Sequence, residues 1–171
     1  MRNAMASYPK MFCIFVRKQV SGWCGSSSKQ SLWDTSISNV CPNCGLSSDT
    51  WKHLTWCSNK GRVTLFRESI KDVIWCLERA NVDMLLIAII EDYMIHQGLV
   101  TMKSCTPPGS KFMALARVQD RLGWDCFVEG WIPTLLIKTV RPFLHDLSSQ
   151  KSMMTWGVSF LKALLGVTHK Q

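Results

Sequence analysis

The sequence predicts a mainly α-helical protein, with a small ligand-bearing loop module packed beside a bundle of about five helices. Three observations carry that expectation. Apolar residues recur at three- and four-residue steps through most of residues 61–171, no convincing run alternates with a period of two, and Cys and His residues gather between Cys41 and Cys57. No internal repeat and no low-complexity tract complicates the pattern.

At 171 residues the chain is one domain's worth of length, or a small module plus a larger one, and it can bury a core without disulfides. The apolar fraction of 47% and the charged fraction of 19% argue for an ordered chain. A formal charge of +8 favours anionic partners. The basic residues are densest at Arg17, Lys18, Lys52, Lys60, Arg62, Arg67 and Lys71, yet they form no run, so a solvated basic surface stands beside the nucleic-acid reading.

Taken in order, residues 1–40 read as an irregular N-terminal arm, with a short helix or strand near Met11 to Val20 and a Gly/Ser-rich stretch from Ser21 to Ser31. Residues 41–60 form the ligand module, and 61–171 the helical domain. Within that domain, Val63, Phe66, Ile70, Val73, Ile74 and Leu77 make one face of an amphipathic helix between Arg62 and Ala80. The next segment, Val82 to His96, is apolar almost all round, with Asn81 in the capping position and Gly98 as the stop, and belongs in the core. Pro107, Pro108 and Gly109 break the pattern within 99–110, the internal boundary the sequence suggests. Three helices follow, over 112–129, over 132–147 with Pro133 in its first turn, and over about 151–167 with Ser148 and Ser149 as caps.

The chemistry lies in Cys41-x2-Cys44-x8-His53-x3-Cys57. Three thiolates and an imidazole are the soft tetrahedral set that zinc takes in closed structural sites, and no position remains for water. Pro42 and Gly45 let one turn aim two sulfurs at one ion, and a helical turn puts His53 and Cys57 on the same face. The expectation is therefore a Cys-Cys-His-Cys zinc knuckle with Zn2+ as its cofactor. A redox Cys-x2-Cys pair would want a strand–helix context, whereas these cysteines sit between loop signals. Catalytic zinc would want an open position and, in deaminase-like sites, a Glu beside the ligand His; here Lys52 and Leu54 flank His53.

Eight cysteines, five of them scattered singly at Cys13, Cys24, Cys76, Cys105 and Cys126, suit a reducing compartment. No signal peptide is visible, and the apolar stretch from Met84 to Ile90 is far shorter than the roughly 20 residues of a membrane span. An intracellular protein of nucleus or cytoplasm, away from the membrane, is expected.

Cys41-Pro-Asn-Cys-Gly, then Asp49-Thr50, His53-Leu54 and Cys57, resembles the zinc-binding region downstream of reverse transcriptases in retrotransposon polyproteins. That family commonly reads Cys-Pro-x-Cys, an acidic-Thr pair, His-hydrophobic, Cys. Lys18 to Gly25 with Trp33, and Gln119-Asp-Arg-Leu-Gly-Trp124 with Phe127 and Gly130, look similar too. The resemblance implies a fragment or domesticated remnant of a mobile element, whose zinc module helps an associated polymerase engage RNA or DNA. A reverse transcriptase or another element-encoded protein is then an expected partner. The chain departs from the enzymes of such elements in having no Asp-Asp pair and no carboxylate cluster for two magnesium ions, so no polymerase or nuclease activity is expected.

Lys52, Trp56, Lys60, Arg62 and Arg67 are the candidate nucleic-acid contacts, cations for phosphates and tryptophan for base stacking. Packing of Trp51 and Trp56 around the ion is the other account of those rings. His96, His145 and His169 read as structural or surface residues without ligand partners, Cys76 and Cys126 as small core hydrophobes, and Trp124, Phe127 and Trp131 as a stripe packed on another helix. The sequence thus supports a non-enzymatic zinc-dependent module that binds RNA or single-stranded DNA, with a zinc-stapled protein-interaction module as the alternative.

Overall fold

The computed structural model describes residues 10–21, 25–144 and 150–169. It is mainly helical, and among the described residues the only extended pairing is an isolated antiparallel bridge between Val40 and Ser48. The arm contains a helix, α1 (Lys10–Val20), which buries Val16 and lies against the last helix of the chain. A single turn, α2 (Ser27–Gln30), follows it. Beyond the ligand hairpin comes the short helix α3 (Trp51–Trp56).

Helix α4 (Lys60–Glu78) starts where Asn59 Oδ1 accepts hydrogen bonds from the Gly61 and Arg62 amides, which satisfies two of the donors a helix N-terminus leaves unpaired. Its buried face is Phe66, Ile70, Val73, Ile74 and Leu77, the stripe the periodicity predicts. Helix α5 (Met84–Ile95) buries Leu86, Ile87, Ile89, Ile90, Tyr93 and Met94. Its cap differs from expectation: Asp83 accepts from the Leu85 amide, while Asn81 takes a left-handed φ of 50° in the preceding turn. Asn81 tolerates that conformation better than most residues, which frees Asp83 to cap. The helix is also less enclosed than its composition suggests, with Met84 and Ile95 exposed at its two ends.

Helix α6 (Met113–Val128) is broken internally at Gly123, whose φ of 82° only glycine adopts cheaply. The predicted single helix over 132–147 is shorter. Pro133 sits in the cap position, α7 runs Thr134–Val140, and a 3-10 turn, Arg141–Leu144, contains Pro142, which cannot donate to a continuing α-helix. Helix α8 (Gln150–His169) packs mainly along α4, and Ser148 and Ser149 lie outside the described residues.

Phe66, Leu77, Leu86, Ile90, Phe127, Leu136, Val140, Phe160 and Leu164 share one core, so buried residues from both sides of 99–110 meet in it. The loop itself is anchored: Asp120 accepts the Met102 amide at 2.6 Å and the Lys103 amide at 3.0 Å, and Met102 and Thr106 are buried. Trp124 and Phe127 pack edge-on to Tyr93, whereas Trp131, the third member of the predicted stripe, lies 55% exposed beyond the end of α6. No described helix is long and apolar enough to cross a membrane.

Candidate metal centre

The hairpin around Cys41 is closed by short backbone bonds. The Cys41 amide donates to the Ser47 carbonyl at 2.7 Å, and the Gly45 amide donates to the Cys41 carbonyl at 2.9 Å. Gly45 makes the turn with φ +67°, where a side chain would be strained. Thr50 then caps α3 by accepting from the His53 amide at 3.2 Å, which sets the rotation of the helix that carries His53. Cys57 follows the last turn in an extended conformation, so the second ligand pair spans a helix and its exit rather than two turns of one helix.

These elements bring the four predicted ligands together. One ligand atom from each of Cys41, Cys44, His53 and Cys57 lies within 4.8 Å of all the others. Cys41 Sγ and Cys57 Sγ are 3.9 Å apart, and Cys44 Sγ and His53 Nε2 are 3.2 Å apart. A tetrahedral ion with bonds of about 2.3 Å to sulfur and 2.05 Å to nitrogen demands edges of about 3.8 and 3.6 Å. The donor set therefore fits such an ion to within a few tenths of an ångström, and the sulfurs are too far apart for a disulfide. Cys41 and Cys57 are buried, and Cys44 and His53 half-buried.

The hairpin amides already favour a thiolate. Burial works to raise the Cys41 thiol, but the amides of Cys44 and Asn43 and the side chains of Cys44 and His53 outweigh it and bring the thiol down to about 6. Cys57 is pushed up instead, by burial first, with the Cys41 and Cys44 thiols adding to it against the Asn59 amide. A cation between the sulfurs would reverse that second trend, since it stabilises every thiolate it touches.

Three further contacts tie the ligand module to its surroundings. The Asp49 carboxylate accepts the Ser27 amide at 2.8 Å, and its carbonyl accepts the Ser28 amide at 3.2 Å, which fixes α2 to the hairpin. Asn59 Nδ2 donates to the Asn43 carbonyl at 3.0 Å, which fixes the hairpin to the start of α4. Lys52 Nζ pairs with the Asp125 carboxylate on α6. Asp49-Thr50, singled out in the sequence by its resemblance alone, thus has two structural tasks, an arm anchor and a helix cap.

Of the other sequence candidates, Trp56 is 51% exposed, Lys60 and Arg67 are exposed on α4, and Arg62 is half-buried. Lys52 is held toward α6 by Asp125, whose charge raises its pKa through a hydrogen bond first and through the wider Coulomb attraction second. The Trp51 side chain, His145 and Cys24 lie outside what is described. Cys76 is a buried neighbour of α8 that donates weakly to the Ser159 carbonyl at 3.8 Å.

His96 departs from expectation. Asp92 Oδ1 lies 3.2 Å from its Nδ1 one helical turn away, and Cys105 reaches the same place from the 99–110 loop. The i,i+4 spacing of Asp92 and His96 could have flagged the pair, but nothing local could have flagged Cys105. Burial, together with the Asp92 carboxylate, pushes the Cys105 thiol up to about 12, so the bare thiol is no nucleophile at neutral pH.

The chain matches no family model, no curated protein and no solved structure.

Proposed function

We propose that this chain is a non-enzymatic module organised by a structural zinc ion, and that the exposed basic rim of that centre binds RNA or single-stranded DNA. The ion is taken to be zinc because three thiolates and an imidazole in a closed tetrahedron are its habitual structural sphere. One observation carries the nucleic-acid reading: Trp56, 51% exposed, immediately precedes the ligand Cys57, and the exposed Lys60 follows it by three residues. The metal fixes the backbone between a stacking ring and a phosphate-seeking cation, the pairing that single-strand binders use. The net charge of +8 extends the attraction without adding sequence preference.

Kinship with the zinc-binding region downstream of retrotransposon reverse transcriptases is part of the same proposal, resting on Cys41-Pro-Asn-Cys, Asp49-Thr50, His53 and Cys57. On that reading a reverse transcriptase or another element-encoded protein is the natural partner. Fluorescence titration of short RNA and single-stranded DNA onto the zinc-loaded chain at two salt concentrations tests the activity. Affinity should fall steeply with salt and be lost with His53→Ala; salt-independent or undetectable binding by the loaded chain refutes it.

A second reading has its own support. The ligand module is tied to α2 by Asp49, to α4 by Asn59 and to α6 by the Lys52–Asp125 pair, the layout of a staple that holds an arm against a bundle for contact with another protein. Partner binding of that kind should survive moderate salt.

A further inference from the structure

We propose that Asp92, His96 and Cys105 form a second divalent-metal site, specific for borderline first-row ions such as zinc or cobalt(II) and weaker than the four-ligand centre. One carboxylate oxygen, one ring nitrogen and one sulfur lie within 4.8 Å of one another, which is the span of a single coordination sphere. The Asp92 Oδ1 to His96 Nδ1 separation of 3.2 Å is close to the edge of about 3.3 Å that two bonds of 2.05 Å make around a tetrahedral ion. The donors are chemically mixed. A thiolate and an imidazole exclude magnesium and calcium, which take oxygen, and together with a carboxylate they select zinc-like ions. Thiolate and carboxylate also supply the two negative charges that balance a divalent cation.

The ligands are held on separately supported elements, so the site does not depend on the ion to assemble. Asp92 lies in the last turn of α5 and His96 is its C-cap, whose Nδ1 faces the Asp92 carbonyl at 2.8 Å, a contact the ring gives up when that nitrogen takes the ion instead. Cys105 belongs to the turn whose Met102 and Lys103 amides are held by Asp120, whose Thr106 hydroxyl donates to the Met102 carbonyl at 2.8 Å, and whose Cys105 amide donates to the Thr101 carbonyl. The side chains of His96 and Asp92 are 44% and 48% exposed, so an ion can enter from solvent. Three protein donors leave one position for water or a small anionic ligand, the feature that separates this site from the closed centre at Cys41.

Native mass spectrometry of the full chain with zinc at modest excess tests the proposal. Two ions per wild-type chain are expected, falling to one in Cys105→Ser and in Asp92→Asn, with the far-ultraviolet circular dichroism unchanged. Cobalt(II) added to the chain after the first zinc equivalent should give a thiolate-to-cobalt band that is absent from Cys105→Ser. A stoichiometry of one in the wild type, or of two that both variants retain, overturns it. Because His53→Ala removes only the first centre, loss of one ion there leaves the second site to be counted independently.

Discussion

The Asp49 carboxylate accepts the Ser27 amide at 2.8 Å across 22 residues of chain, and this bond joins the N-terminal arm to the hairpin that carries Cys41 and Cys44. Asp49 is 8% exposed and Ser27 half-buried, so a substitution leaves a part-buried amide without its acceptor. Asp49→Ala should cost about 1–3 kcal/mol by urea denaturation and raise proteolytic cleavage near Ser27, while the metal stays bound. Unchanged cleavage would separate the arm from the hairpin.

Gly98 and Trp124 are packed so closely that a Cβ on Gly98 would lie 2.4 Å from Trp124 Cβ and Cγ, with φ already at +76°. Neither the left-handed backbone nor the buried indole can yield cheaply. Gly98→Ala should destabilise the chain by about 2 kcal/mol or more and shift the tryptophan emission, whereas Gly109→Ala, where nothing lies within 4 Å of a Cβ, should cost less.

Asp83 caps α5 and pairs with Lys111 at 2.5 Å. Lys111 first, and then the Leu85 amide, hold its carboxyl below the ordinary carboxylate range. A folded pKa below the unfolded one means the contribution is present above the unfolded value and is lost as pH falls through the folded one. Asp83→Asn keeps an acceptor for the cap, so its stability should trail the wild type at neutral pH and converge with it in strong acid. Urea midpoints across the acid range check the convergence.

On the proposed nucleic-acid reading, Lys60 and Arg67 should dominate phosphate contact over Lys52, which Asp125 engages. Replacing either exposed cation by Ala should reduce the slope of log affinity against log salt by about 1. Lys52→Ala should change it less, and an equal change for all three would show that the Asp125 pair yields to phosphate.

Much of this architecture is legible in the sequence because its signals are local. The ligand quartet depends on a turn and on one short helix with its exit, although Cys57 lies in extended chain and not on the helical face expected, and α4 depends on a regular apolar stripe from Phe66 to Leu77. The misjudged positions answer either to tertiary geometry or to single glycine and proline residues that the apolar period hides. Asn81 yields its capping role to Asp83 because the chain must first turn left-handed, and Gly123 and Pro142 interrupt helices that the apolar period carries through. Trp131 follows the spacing of Trp124 and Phe127 yet faces solvent because the helix ends at Val128. Cys105 meets Asp92 and His96 through the course of the 99–110 loop, whose Met102 and Lys103 amides Asp120 holds, and spacing does not encode that course.

X-ray absorption at the zinc edge of the full chain, with Cys105→Ser to leave one centre, bears most directly on the coordination sphere. It should show three sulfur scatterers at about 2.3 Å and one nitrogen at about 2.0 Å, with one zinc per chain. A light-atom-only shell, or no tightly held zinc at all, would contradict the account.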